Sequence, residues 1–121
     1  MADLTAIRTM VVEDDILLAL DLADALRNAG HKIIGPFASA GAALQGMTTD
    51  RPEIAILDID LNGHNSFPVA DALVRENVPF LWLSASSPHI LPGRYRSQPF
   101  VSKPFATHGI LRVMADLLRT S

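Results

Sequence analysis

Short apolar runs alternate with longer segments of helical periodicity along this chain, and this alternation restricts the fold more than any other feature. Residues 7–12 are rich in β-branched side chains and lack polar alternation, which is typical of a strand buried on both faces. From Ile16 the apolar residues follow helical spacing until Gly30, a typical C-terminal stop. Repeated strand–helix pairs predict an α/β fold with a doubly wound parallel sheet covered on both faces.

The rest of the chain continues this alternation. Ser39 is predicted to cap a second helix, and residues 62–66 are predicted to form a loop. Residues 86–96 contain two prolines and a glycine, which argues against a full helix there. The further predicted strands are residues 31–34, stopped by Gly35 and Pro36, 53–57, 79–83 and 100–102, and the last helix carries the stripe Ile110, Val113, Met114, Leu117 and Leu118.

Carboxylates follow two of the predicted strands. Glu13, Asp14 and Asp15 come directly after the first strand, and Asp58 comes directly after the third. Acidic groups brought together at a sheet edge repel one another unless a cation or a proton relieves them. Mg²⁺ prefers oxygen ligands and needs only one or two carboxylates beside waters and phosphate oxygens. The pattern therefore predicts a Mg²⁺-assisted phosphate site.

Two further polar residues, Ser84 and Lys103, follow the fourth and fifth predicted strands. Ligands of open parallel sheets bind beyond the carboxyl ends of the strands, where all these groups are expected to meet.

Each residue of this set has a predicted role. Asp58 is predicted to be the nucleophile that attacks a phosphoryl group. Lys103 is expected to pair with a phosphoryl oxygen and Ser84 to donate a hydrogen bond to it. The predicted metal ligands are Glu13, Asp14, Asp58 and the backbone carbonyl of Asp60.

Each residue alone also has a simpler interpretation. The acidic run could only complement the dipole of the following helix, with Asp15 as its cap. Asp58 could be a turn residue, Ser84 a loop residue and Lys103 a solvated surface lysine. The combination at four strand ends favours the phosphate site. The four histidines, at positions 31, 64, 89 and 108, have no metal-ligand spacing and are interpreted as surface or loop residues.

Composition excludes several classes of protein. The 121 residues are 49% hydrophobic, which predicts one domain spanning 1–121 with a real core. The absence of cysteine excludes disulfides and thiolate metal sites, and it fits a cytoplasmic location. No apolar stretch is long enough for a membrane span, and no signal peptide is recognisable. The net charge of −3 argues against a nucleic-acid partner.

At this point the chain resembles the response regulator receiver domain of two-component signalling, over nearly its whole length. The matching segments are residues 11–14, 56–61, 83–85 and 100–105. The resemblance implies a five-stranded, flavodoxin-like three-layer sandwich with strand order 2-1-3-4-5 and five flanking helices. It also implies that Phe100 is a switch residue whose rotamer follows Ser84, and that the Lys103–Pro104 bond is cis.

The resemblance further implies a function. Asp58 would accept a phosphoryl group from a histidine kinase or a histidine phosphotransfer protein, with Mg²⁺ as cofactor, and the chain would be a switch rather than an enzyme. The expected form is a stand-alone receiver, a monomer or weak homodimer, acting on a downstream protein target. Two features depart from the family: the Met-Pro pair after the phosphoacceptor is missing, and Pro88, Pro92 and Gly93 should leave the fourth helix short, irregular or mobile.

Two other functions remain open at this stage. The string Asp58-Ile59-Asp60 resembles the nucleophile motif of haloacid-dehalogenase-type phosphatases, which also use an aspartyl phosphate and Mg²⁺. That motif normally lies on the first strand and is followed by a late acidic pair, whereas here the acidic pair comes first. The chain could also be a receiver fold that binds proteins without phosphorylation, although Asp58 and Lys103 argue against this.

Overall fold

A parallel sheet forms the centre of the protein. The computed structural model describes residues 6–85 and 90–120. The strands of this sheet are β1 (Arg8–Val12), β2 (Lys32–Phe37), β3 (Ile54–Leu57), β6 (Phe80–Ser84) and β7 (Phe100–Ser102). Their spatial order is β2-β1-β3-β6-β7, with all neighbours parallel. Because β4 (Asp60–Leu61) and β5 (His64–Asn65) form a separate hairpin, this is the predicted order 2-1-3-4-5 of a flavodoxin-like fold.

Helices cover both faces of the sheet. They are α1 (Ile16–Asn28), α2 (Ala40–Thr49), α3 (Phe67–Arg75) and α4 (Thr107–Thr120). One apolar cluster joins α1 and α4 to the sheet, and a second joins α2 and α3 to its other face. Strands β3 and β6 are buried along their whole length, which explains why their sequences lack polar alternation. Within the described residues, none of the helices combines the length and hydrophobicity needed to cross a lipid bilayer.

The helix starts follow their predicted caps. Asp15 Oδ1 accepts a hydrogen bond from the Leu18 N–H at 3.2 Å, and Ser39 Oγ accepts one from the Ala42 N–H at 3.1 Å. Such caps satisfy donors that the first helical turn leaves unpaired.

Strand β2 does not stop at Gly35, as its sequence predicted, but continues through Pro36 to Phe37. Two features make this extension compatible with the sheet. The strand is an edge strand, where a residue without an N–H is tolerated, and its register to β1 shifts between Met10 and Val12. Gly35 adopts φ +102°, and a Cβ there would lie 3.0 Å from the Val11 carbonyl oxygen. The extension lets Phe37 O accept the Glu13 N–H at 2.9 Å.

A β-hairpin stands where a loop was predicted at residues 62–66. Strands β4 (Asp60–Leu61) and β5 (His64–Asn65) pair antiparallel. The two residues between them, Asn62 and Gly63, have φ of +54° and +85°. Asn-Gly is the preferred pair for a two-residue hairpin with positive φ at both positions, so the sequence contained a signal that the loop prediction overlooked.

Residues 90–96, which precede β7, are irregular but packed against the core. The sequence predicted no full helix over residues 86–96, of which residues 86–89 lie outside the described residues. Residues 93–95 form a single 3₁₀ turn, so the described chain contains four α-helices rather than the five that the resemblance implied. Leu91 and Tyr95 are each 2% exposed, and the Trp82 indole N–H donates to the Tyr95 carbonyl at 3.0 Å. For residues 90–96, the prediction that the fourth helix is short and irregular is confirmed. The contacts of Leu91 and Tyr95 hold this segment against the core.

Candidate functional site

Three carboxylates meet at the carboxyl ends of β1 and β3. These strands are neighbours in register, with Val12 opposite Leu57, so the residues that follow them emerge side by side. Glu13 is 2% exposed and Asp58 6%, whereas Asp14 is partly exposed. Carboxylate oxygens of the three residues all lie within 4.8 Å of one another. The sequence therefore predicted their proximity correctly.

Lys103 enters this group from the loop after β7. Its Nζ lies 3.0 Å from Asp58 Oδ2, in a hydrogen-bonded ion pair. It also lies 2.6 Å from Glu13 Oε1, so that one ammonium forms ion pairs with two carboxylates. The Lys103 N–H donates to the Ser84 carbonyl at 3.0 Å, which continues the pairing of β7 with β6 and fixes the start of the loop. The Lys103–Pro104 peptide bond is cis, as the resemblance implied.

Burial acts on the pKa of two members of this cluster, Glu13 and Lys103. It raises the pKa of Glu13 from 4.5 to about 7, because desolvation disfavours the carboxylate; the neighbouring Lys103 opposes the rise and Asp58 adds to it. Burial alone would lower the pKa of Lys103, but Glu13 and Asp58 outweigh it, so that this pKa is raised. Three acidic groups thus share one ammonium in a poorly hydrated site. This is an arrangement that a proton or a further cation would relieve.

The hairpin closes one side of the site. The Asn62 N–H donates to Asp14 Oδ2 at 2.8 Å, and the Gly63 N–H donates to Asp60 Oδ1 at 3.1 Å. Asp60 itself is exposed at the start of β4. The backbone of the hairpin therefore lies against Asp14, on the edge where the Asp60 carbonyl was predicted to bind a metal.

Ser84 and Phe100 lie on neighbouring strands beside this cluster. Ser84 is the last residue of β6, buried, and faces Ser102 in the register of the sheet. Phe100 begins β7 opposite Trp82 and packs, partly buried, against the α2–α3 side of the core. The structure thus places both predicted switch residues within one strand pair that ends at Lys103.

Sequence reasoning missed one residue of this region, Ser66. It is fully buried, and its hydroxyl donates to the backbone carbonyl of Asp58. Its position directly before α3 signals only a helix cap, so no local pattern could have indicated this contact.

The donor set of the cluster suits a hard cation. Glu13, Asp14 and Asp58 supply oxygen ligands only, and Glu13 Oε1 is buried with the Lys103 ammonium as its ionic partner. Mg²⁺ and Ca²⁺ prefer such oxygens, whereas nothing here would select a soft metal. The three residues form a group that could hold a metal ion.

Known structures and sequences resemble this chain over most of its length. Among protein-family models, none matches the sequence. The receiver domain of the response regulator PhyR from Erythrobacter litoralis has the same fold, with a TM-score of 0.83 over 94% of this chain and 91% of that one, at 24% identity. SdrG from Sphingomonas melonis Fr1 superposes with a TM-score of 0.82 at 31% identity, covering 98% of this chain and 99% of SdrG. The chain belongs to the response regulator receiver family.

Longer regulators contain a similar receiver. The phyllosphere-induced regulator PhyR of Methylorubrum extorquens is 27% identical over 117 residues, which is 93% of this chain and 44% of that protein. The chain spans about half the length of the curated relatives it matches, between 44% and 53%. The receiver fold and a place among signalling regulators are therefore what this chain shares with these proteins.

Proposed function

We propose that this receiver accepts a phosphoryl group on Asp58 from a phosphohistidine of a kinase or phosphotransfer protein. The reaction depends on Mg²⁺, and the modified protein signals through contacts with other proteins. One observation carries this proposal: Asp58, 6% exposed, is held 3.0 Å from Lys103 Nζ beside the carboxylates of Glu13 and Asp14. A buried carboxylate with a fixed cation and spare oxygen ligands next to it is suited to phosphoryl transfer.

The chemistry follows from the positions of these side chains. A carboxylate oxygen of Asp58 forms a bond to phosphorus while the phosphorus–nitrogen bond to the donor imidazole breaks, and the imidazole takes up a proton as it leaves. Lys103 Nζ, now on Asp58 Oδ2, shifts to an oxygen of the transferred group. The Ser84 hydroxyl donates to a second oxygen. Mg²⁺, held by Glu13, Asp14 and Asp58 with the Asp60 carbonyl, would neutralise charge on the transferring group.

An exposed apolar surface beside the carboxylates suits the phosphodonor. Ile16 and Leu17, at the start of α1, are 70% and 73% exposed, and Leu20 follows one turn later at 49%. Ile16 and Leu20 line a groove that also includes Glu13 and Asp14. A contiguous patch of exposed apolar residues often marks a site of contact with another protein, whereas single scattered residues do not. An amphipathic donor helix packed here would bring its phosphohistidine to Asp58.

Two features support output through protein contacts. The net charge of −3 is unsuited to binding nucleic acid. The residues that would sense the phosphoryl group, Ser84 and Phe100, lie on the paired strands β6 and β7, and β6 contacts α4. A change of their packing can therefore reach a surface on which a partner protein could dock.

Intact mass after incubation with a small phosphodonor and Mg²⁺ tests the proposal. A stable adduct of one phosphoryl group on the wild-type chain, absent from Asp58→Asn, supports it. Release of inorganic phosphate over many turnovers without an adduct would indicate a phosphatase. A protein that reacts in neither way would be a binding module, and the proposed phosphoryl acceptance would be wrong.

A further inference from the structure

We propose that Ser66 is a positioning residue for the phosphoacceptor, which it holds by the backbone carbonyl of Asp58. This inference rests on the proposed function of Asp58. It goes beyond that function because it assigns a role in the reaction to a residue outside the acidic cluster and its lysine.

Ser66 occupies the N-cap position of α3 but does not act as a cap. Its side chain makes no hydrogen bond to the first turn of the helix, and the Phe67 N–H is instead accepted by Asn65 Oδ1 at 3.0 Å. Ser39, at the same position of α2, caps its helix in the ordinary way. A serine cap stabilises the start of a helix. Ser66 forgoes this interaction, and its hydroxyl bonds the Asp58 carbonyl instead.

Ser66 also closes the base of the hairpin. Its N–H donates to the Ile59 carbonyl at 2.9 Å while its hydroxyl reaches Asp58, so two consecutive carbonyls are fixed by one residue. The hairpin of β4 and β5 therefore lies between Ile59 and Ser66, whose backbones are joined by this hydrogen bond. Ser66 is fully buried at this point, so no solvent competes for its bonds.

Asp58 is consequently held on both sides of its Cα. On its amino side, the Asp58 N–H donates to the Val12 carbonyl at 3.0 Å, within the sheet. On its carboxyl side, beyond the end of β3, the Asp58 carbonyl accepts its hydrogen bond from the Ser66 hydroxyl. Fixing both peptide groups fixes the direction of the side chain toward Lys103 and the path of the chain to Asp60. Loss of the hydroxyl would leave a buried carbonyl without this donor and free the peptide group to rotate.

The experiment compares Ser66→Ala with Ser39→Ala. Both remove one serine at a helix start, but only the first touches the phosphoacceptor. Residues that orient a reacting or metal-binding group typically contribute about tenfold to a hundredfold. We expect Ser66→Ala to accept phosphate from a small donor about tenfold or more slowly per folded molecule, and to bind Mg²⁺ severalfold more weakly by calorimetry. Ser39→Ala should match the wild type in both measurements.

Wild-type rate and wild-type Mg²⁺ affinity in Ser66→Ala would overturn the proposal, since Ser66 would then only begin α3. If that variant does not fold, Ser66→Thr and Ser66→Val replace it, because they have the same shape with and without a hydroxyl. Recovery of rate and affinity by Thr but not by Val supports positioning, and equal behaviour of the two overturns it. Failure of the proposed function is recognised separately, as a wild-type chain that forms no adduct; the Mg²⁺ measurement then still decides the role of Ser66.

Discussion

Lys103 Nζ lies 3.0 Å from Oδ2 of Asp58, a contact between residues 45 positions apart in the sequence. The two side chains meet because β3 and β7 end at the same edge of the sheet, separated only by β6. An ammonium at this distance from the proposed phosphoacceptor would compensate charge that develops on a phosphoryl group. In a poorly hydrated site such compensation is stronger than in water.

Replacement of this lysine should therefore affect chemistry more than folding. We expect Lys103→Ala to accept phosphate from a small donor roughly a hundredfold more slowly than the wild type. Lys32→Ala is the matched control, because Lys32 is the only other lysine of the sequence and lies exposed on the edge strand β2. Rates of adduct formation by mass spectrometry, divided by the folded fraction from circular dichroism, give the comparison. A variant that unfolds but keeps its activity per folded molecule would make Lys103 structural.

The raised pKa of Glu13 predicts how the metal-free protein responds to pH. The pKa of Glu13 is 4.5 ordinarily and about 7 when folded, so between these values the folded state binds more protons than the unfolded state. The stabilisation that Glu13 contributes is complete below pH 4.5 and is lost as pH rises through about 7. The free energy of unfolding falls over this range by at most about 1.4 kcal/mol per pH unit. Burial lowers the pKa of His31, which gives a slope of opposite sign.

The difference between wild type and Glu13→Gln isolates the contribution of Glu13. Urea unfolding in chelator should show that the stability of the wild type relative to this variant falls between about pH 5 and about pH 8. Mg²⁺ should have the opposite dependence: because the metal needs the carboxylate, its affinity should rise over the same range with release of a proton. A difference that does not change with pH would contradict the assignment of the raised pKa to Glu13.

The sequence was sufficient to predict those features that local patterns determine. Buried strands have continuous apolar runs, so the strand ends at Val12 and Leu57, and with them the acidic site, could be recognised directly. The path of β2 past Gly35–Pro36 could not, because it depends on a register shift against β1 and on the distant Glu13 N–H. The hydrogen bond from Ser66 to the Asp58 carbonyl could not be predicted for a similar reason. Tertiary structure determines whether this hydroxyl caps α3 or bonds Asp58.

Tyr95 should determine the rigidity of the irregular segment before β7. Its hydroxyl donates to Asp71 Oδ1 at 2.6 Å, and its ring stacks on Phe67 with centroids 4.6 Å apart. We expect Tyr95→Phe to lower the free energy of unfolding by about 1 kcal/mol and to speed amide exchange in residues 90–96. Asp24→Asn, which breaks an exposed ion pair with Arg27, should change neither quantity measurably. Unchanged exchange in Tyr95→Phe would show that the apolar contacts alone hold the segment.

Phosphorylation should be sensed on the strands that carry Ser84 and Phe100. A ligand on Asp58 gives the Ser84 hydroxyl and Lys103 new acceptors, and both residues are joined to β7 through the backbone. We therefore expect beryllofluoride with Mg²⁺, a mimic of the phosphoryl group, to change amide exchange around Asp58 and also through the described part of residues 84–102. Ser84→Ala should keep the change near Asp58 and lose most of the change in β7. The sole tryptophan, Trp82, lies opposite Phe100 in the register and offers a fluorescence readout of the same event. If exchange changes only around Asp58 in the wild type, the strands do not transmit the signal, and a passive phosphate carrier is the better account.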